Sequence, residues 1–230
     1  MYRRFLQFKL FLQTGLNGVM NSTNAITIQS IAREYIASKE YDLAEAEIKE
    51  AIGIAEATMH PSDRRYLVIK ADLGNVLYET NRFDEAELIY KNILAMEKQT
   101  HGKDSAAQCE LICNLAKTLI KQNKFDEANE ILSGTLMEAR LAEFGYTEGR
   151  IIQTRGWLNE RNGDLPQAKR DYIRALHLFM DNGCDEECEN ECRSDLFRID
   201  GLLPLCTTTQ EVSSRSTALQ DVQSSTVSVQ

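Results

Sequence analysis

The sequence predicts an all-α solenoid built from antiparallel helix pairs, and three observations lead to it. The large residues Tyr41, Phe83, Phe125 and Leu165 recur at spacings of 42, 42 and 40, each followed at +3 by Ala44, Ala86, Ala128 or Ala168 and at +7 by Ile48, Tyr90, Leu132 or Tyr172. Those offsets share one face of a helix. Nine residues before each large residue stands a small one, Ala32, Gly74, Ala116 or Gly156, so a preceding helix can bring its backbone close to the second. Finally, Pro61, Pro166 and Pro204 fall between repeats, in a first helical turn and past the last repeat. None stands mid-helix, where proline costs about 3 kcal/mol. A lone pair cannot bury its apolar face; stacked neighbours can.

Taken in order, residues 1–20 read as a half-repeat that caps the N-terminal end. Gly18, His60, Gly102 and Gly145 mark turns between pairs, and Leu10, Ile52, Leu94, Leu136 and Leu176 form a further column, which places residues 4–17 where a second helix would be. The rival reading is a mitochondrial presequence, since residues 1–33 hold Arg3, Arg4, Lys9 and Arg33 and no acid. Four pairs follow at about 26–57, 64–99, 106–141 and 148–180. Asn182-Gly183 is a helix stop. Cys184, Cys188, Cys192, Leu196 and Ile199 then make one helical seam, read as a capping helix over 184–200 whose acids face water. Eleven of the 24 residues from Thr207 to Gln230 are Ser or Thr, with little to bury, so this tail is expected to be disordered.

Composition excludes several functions. Twenty-six Lys+Arg against 35 Asp+Glu give a net charge of −9, which argues against nonspecific nucleic-acid binding. No apolar run is long enough to span a membrane. Six cysteines, three of them at four-residue helical intervals, suit reduced thiols in the cytoplasm better than a secreted disulfide framework. Three of them beside carboxylates allow a thiol or metal sensor as a lesser alternative, although structural zinc usually draws its ligand pairs from turns. His60, His101 and His177 have no nucleophile at motif spacing, and the chain has no glycine-rich phosphate loop. No catalytic residue, metal ligand or cofactor is expected. Most carboxylates are assigned to exposed helix faces.

The repeat columns resemble the tetratricopeptide repeat, with small residues in the first helix and an aromatic followed by Ala in the second. The usual period is 34 residues. The 42-residue period, with Gly102-Lys103-Asp104, Asn114-Leu115-Ala116 and Phe125-Asp126-Glu127-Ala128, is similar to the longer repeats of kinesin light chains, over about residues 26–180. That resemblance implies a right-handed superhelix whose concave wall is lined by first helices and binds a peptide or partner helix without catalysis. It places Gln29, Arg33, Asp72, Asn75, Tyr78, Asn114, Lys117, Lys121, Gln153, Trp157 and Arg161 on that wall. Asn114 stands where light-chain-like repeats hold an Asn against an extended backbone, a task suited to an amide because it donates and accepts together. Lys117 and Lys121, at i and i+4, form a basic step for a carboxylate, and Tyr78 and Trp157 are candidate aromatic anchors.

Overall fold

The computed structural model describes residues 22–100, 105–141, 145–183 and 186–202, in two compact units that divide between Lys124 and Phe125. The expected N-terminal cap, His101, Gly102, Cys184 and the tail from Thr207 lie outside the described residues. Every element among those described is helical. The first unit holds α1 (Ser22–Ala37), α2 (Tyr41–Thr58), α3 (Arg64–Glu79), α4 (Phe83–Thr100) and α5 (Ser105–Lys121). The second holds α6 (Phe125–Leu141), α7 (Gly145–Arg161), α8 (Leu165–Asp181) and α9 (186–202).

Each helix hides the stripe its sequence paints. In α2, Ala44, Ile48, Ala51 and Ala55 are fully buried, one residue per turn. They join Ala25, Ile28 and Ala32 of α1, Leu67, Ile69 and Val76 of α3 and Ile93 of α4 in one core. Helix starts follow capping chemistry. Asp63 accepts from the Arg65 amide at 2.9 Å, and Asp164 accepts from the Gln167 amide at 3.0 Å just before Pro166. Two helices begin earlier than the apolar pattern predicts. α1 starts at Ser22 because Ala25 already belongs to the core. α7 starts at Gly145, since Thr147 and Gly149 are buried too.

The turns inside the pairs repeat a single device. Lys39, Asn81 and Asn123 each have φ of 61° and Gly163 has 88°, at the 42, 42 and 40 spacing of the large residues that follow them. The next amide reaches back across the turn: Glu40 to Tyr35 O at 2.9 Å, Arg82 to Leu77 O at 2.8 Å, Lys124 to Leu119 O at 2.9 Å and Asp164 to Asn159 O at 2.8 Å. The left-handed residue's own amide bonds Ile36, Tyr78, Ile120 or Glu160. This is the Schellman arrangement, which satisfies the last carbonyls of the first helix while turning the chain back.

The small-residue column is occupied as the pattern demands. A methyl group placed on Gly74 would stand 2.7 Å from the Tyr90 ring, and one on Gly156 would stand 2.8 Å from the Tyr172 ring. At these two positions the side chain received by the small residue is therefore the +7 ring of the second helix. Charged rungs then tie one repeat to the next. Arg82 Nη1 donates to both Glu45 oxygens at 2.8 and 2.9 Å, and Lys124 Nζ donates to Glu87 Oε2 at 2.7 Å. In the second unit the same columns hold Asn129 and Asp164, which cannot form that ion pair.

In the second unit α9 takes the place of a further first helix. It lies against α7 through Arg150–Glu191 at 3.0 Å, and against α8 through Lys169–Asp200 at 2.6 Å. Cys188, Cys192 and Ile199 are buried, and Ile199 packs with Leu165, Ala168 and Tyr172. Forty-two residues after Gly156, the small-residue column reaches Arg198, which turns to pair with Glu160.

Candidate functional site

The first helices α1, α3 and α5 of the first unit form a wall whose side chains bond laterally. Arg33 stands eight residues before its repeat's large residue, and Asp72 eleven before the next. Arg33 Nε meets Asp72 Oδ2 at 2.8 Å and its Nη2 meets Oδ1 at 3.3 Å, while Gln29 Nε2 donates to Oδ2 at 2.6 Å. Asp72 is only 6% exposed, and a carboxylate that deep needs this many donors to stay in place.

One repeat along, the same two columns hold Asn75 and Asn114. Asn114 Nδ2 donates to Asn75 Oδ1 at 3.1 Å, and the Tyr90 hydroxyl of α4 donates to that same oxygen at 2.7 Å. Tyr90 is 1% exposed, so its hydroxyl is a fixed donor reaching the wall from behind. Two donors on one oxygen fix the orientation of the Asn75 amide. Its Nδ2 and the Asn114 Oδ1 are left without a hydrogen bond among the described residues, a donor and an acceptor side by side, which is the complement of a peptide unit. They border a cavity of about 140 Å³. Leu67, Ala71 and Leu111 supply apolar wall, and Glu97 and Glu110 supply carboxylates.

The other predicted wall residues divide by surroundings. Lys117 is half-buried with no ion pair among the described residues, and Lys121 is exposed in the last turn of α5. Tyr78 packs edge-on against Phe83 with ring centroids 5.6 Å apart. Burial, with Glu79 adding to it, pushes the Tyr78 phenol up to about 12. In the second unit Gln153 Nε2 faces Glu191 at 3.4 Å and Asp195 at 3.5 Å, so it meets α9. Trp157 is half-buried in α7 and Arg161 is exposed at its end. The structure thus brings Gln29, Arg33 and Asp72 together in one cluster, and Asn75 and Asn114 in another.

The assignment of carboxylates to exposed faces needs correcting. Asp72, Glu97 and Asp171 are buried. Asp171, at 2% exposure, takes a two-pronged ion pair from Arg155 at 2.9 and 2.6 Å, with Asn159 donating at 2.8 Å and Gln167 at 3.0 Å. Its only sequence signal is the i, i+4 pairing of Gln167 with Asp171 beside the Tyr172 column. Among the seam cysteines, burial, with Asp195 and Glu191, pushes the Cys192 thiol up to about 12. That is far from the thiolate a reactive sensor requires.

Residues 66–133 match the tetratricopeptide repeat family. No curated protein sequence matches the chain. Solved structures resemble it in fold. Nearly identical TPR-like repeats of kinesin light chain type from Podosopora anserina share 14% identity at a TM-score of 0.61, over 88% of this chain and 97% of theirs. BtubC (BKLC) from P. vanneervenii shares 15% identity at 0.63, over 94% of this chain and 86% of its own. A Rap protein complexed with competence and sporulation factor shares 14% at 0.68, over 86% of this chain and 53% of the Rap chain.

Proposed function

We propose that this chain, which carries tetratricopeptide repeats over residues 66–133, is a non-enzymatic docking module that holds an extended peptide segment of a partner protein on the first-helix wall. One observation carries the reading: Asn114 and Tyr90 both donate to the single Oδ1 of Asn75, leaving an oriented donor on Asn75 and an oriented acceptor on Asn114 at the mouth of a cavity. Arg33 and Gln29 are spent on Asp72, so they keep the wall in register and the asparagines do the holding. The fold supports this, because stacked first helices present many side chains on one continuous face. A Rap protein of similar fold is complexed with competence and sporulation factor, and another, from plasmid pLS20, with the Phr* peptide.

The test is a random nonapeptide array probed with the purified chain, alongside Asn75→Ala, Asn114→Ala and the pair Asn114→Ala/Lys117→Glu. Each lost hydrogen bond to a peptide group weakens retained spots by about three- to tenfold. Spot intensities unchanged in all three variants would remove the wall from the mechanism.

A further inference from the structure

The second unit carries an opening of its own, between α6 and α7. Its volume is about 470 Å³, against about 140 Å³ beside the asparagines. Ser133, Leu136, Met137 and Arg140 of α6 line it together with Arg155 of α7. The four α6 residues stand at i, i+3, i+4 and i+7, so they share one helix face. No carboxylate lines the cleft among the described residues. Met137 is 67% exposed there, beside the buried Leu136.

Both arginines of the lining are braced from behind. Arg140 Nε donates to Glu148 Oε1 at 2.8 Å, and Arg174 Nη2 donates to the same oxygen at 2.7 Å. One carboxylate thus serves two guanidinium groups. Arg155 gives its Nε and Nη2 to Asp171 at 2.9 and 2.6 Å. Both Nη groups of Arg140, Nη1 of Arg155 and the Ser133 hydroxyl keep donors with no hydrogen bond among the described residues. A guanidinium already held by one carboxylate loses little further freedom on binding another. The open Nη edge of Arg140 is the fork that grips a carboxylate at two points. We propose that this cleft is a binding site separate from the asparagine wall, and that it takes an acidic side chain, Asp or Glu, flanked by an apolar one, from a partner protein. The carboxylate meets the arginine donors, and the apolar neighbour covers Met137 and Leu136 and keeps water from screening the pair. A basic side chain finds no carboxylate in the lining, and a purely apolar one covers donors without bonding them.

The experiment follows the Met137 methyl signal by NMR in the full chain carrying isotope-labelled methionine, the signal being assigned from Met137→Leu. The probes are acetyl-Leu-Glu-Leu-amide, the same tripeptide with Gln or phosphoserine at its centre, and sodium acetate. The Glu tripeptide should shift the Met137 signal saturably and bind about tenfold more tightly than the Gln tripeptide. Arg140→Gln should remove that preference. So should Ser133→Glu, an exposed substitution that puts a like charge in the cleft and leaves the Arg140–Glu148 pair in place. Asn114→Ala should leave the preference intact. A Met137 signal that stays still, equal binding of the Glu and Gln tripeptides, or a preference that survives both cleft variants or is lost in Asn114→Ala overturns the assignment. Tighter binding of the phosphoserine tripeptide overturns it too, giving the cleft to a phosphorylated segment. An equal response to acetate does the same, making it a site for free anions only.

Discussion

Replacing Gly74 by Ala adds one methyl group to a helix, and the same change at Gly53 adds the same methyl to another. Helix propensity alone favours Ala at both sites by about 1 kcal/mol. At Gly53 the new Cβ meets no atom within 4 Å, so the propensity gain stands alone. At Gly74 it would stand 2.7 Å from Tyr90 Cε1 and 2.8 Å from Cζ. The ring is 1% exposed, and its hydroxyl is bonded to Asn75 at 2.7 Å, so it cannot swing aside without losing that bond. Overpacking of this kind costs about 1–3 kcal/mol. With the propensity gain subtracted, Gly74→Ala should be neutral to about 2 kcal/mol less stable, and Gly53→Ala about 0.5–1 kcal/mol more stable. For a chain of this length each kcal/mol moves Tm by roughly 2–4 °C, so the two variants should melt several degrees apart. Thermal melts followed by far-UV circular dichroism measure this. Gly74→Ala melting as high as Gly53→Ala would refute the small-to-ring contact as the constraint on that column.

Four further outcomes follow from the same geometry. Tyr90→Phe removes the donor that orients the Asn75 amide, and should weaken captured peptides by about three- to tenfold with a far-UV spectrum unchanged from wild type; equal affinity would show that the hydroxyl does not set the site. Lys39→Gly relieves a side chain held at φ 61° and should raise stability by about 1 kcal/mol in urea melts, whereas a loss would mean that the Lys39 side chain stabilises the turn. For Glu87, burial raises the carboxyl pKa, but hydrogen bonds from Lys124, Lys91 and Gln122 outweigh it and hold the group at about 2. Its contribution is therefore complete above about pH 4.5 and fades as pH falls toward 2, and solvent screening of the half-exposed lysines keeps it to about 1 kcal/mol; Lys124→Met should flatten that part of the stability–pH curve. Asp171→Asn leaves the Arg155 guanidinium without its counter-charge and should cost about 3–5 kcal/mol, read as a lowered urea midpoint.

What could be read from the chain was whatever repeats. Phe83 and Ala86 make a helix face visible because they return 42 residues later as Phe125 and Ala128, with Leu132 in the place of Tyr90, and Gly74 is legible because Ala116 and Ala32 stand in its column. The left-handed turn residues were less visible: Lys39, Asn81, Asn123 and Gly163 share a backbone angle and not a side-chain type. Asp171 escaped because its donors, Arg155, Asn159 and Gln167, meet only after two helices fold together. Asn114 and Asn75 could be placed on a wall from spacing. Their sharing of one oxygen could not, since the third member, Tyr90, reads in the sequence as a core ring.

Arg198 bears on how such an array can grow. At each earlier turn of the period the small-residue column holds Ala or Gly, and a ring from the following helix settles against Gly74 and Gly156. At α9 the column instead holds Arg198, an exposed residue whose guanidinium pairs with Glu160. A fifth second helix packed like its predecessors would have to expel a charge from its own docking surface. Copying a 42-residue block onto the end of α9 therefore would not lengthen the solenoid. An engineer wishing to add a module after α9 would begin with Arg198→Gly and a neutral partner at 160.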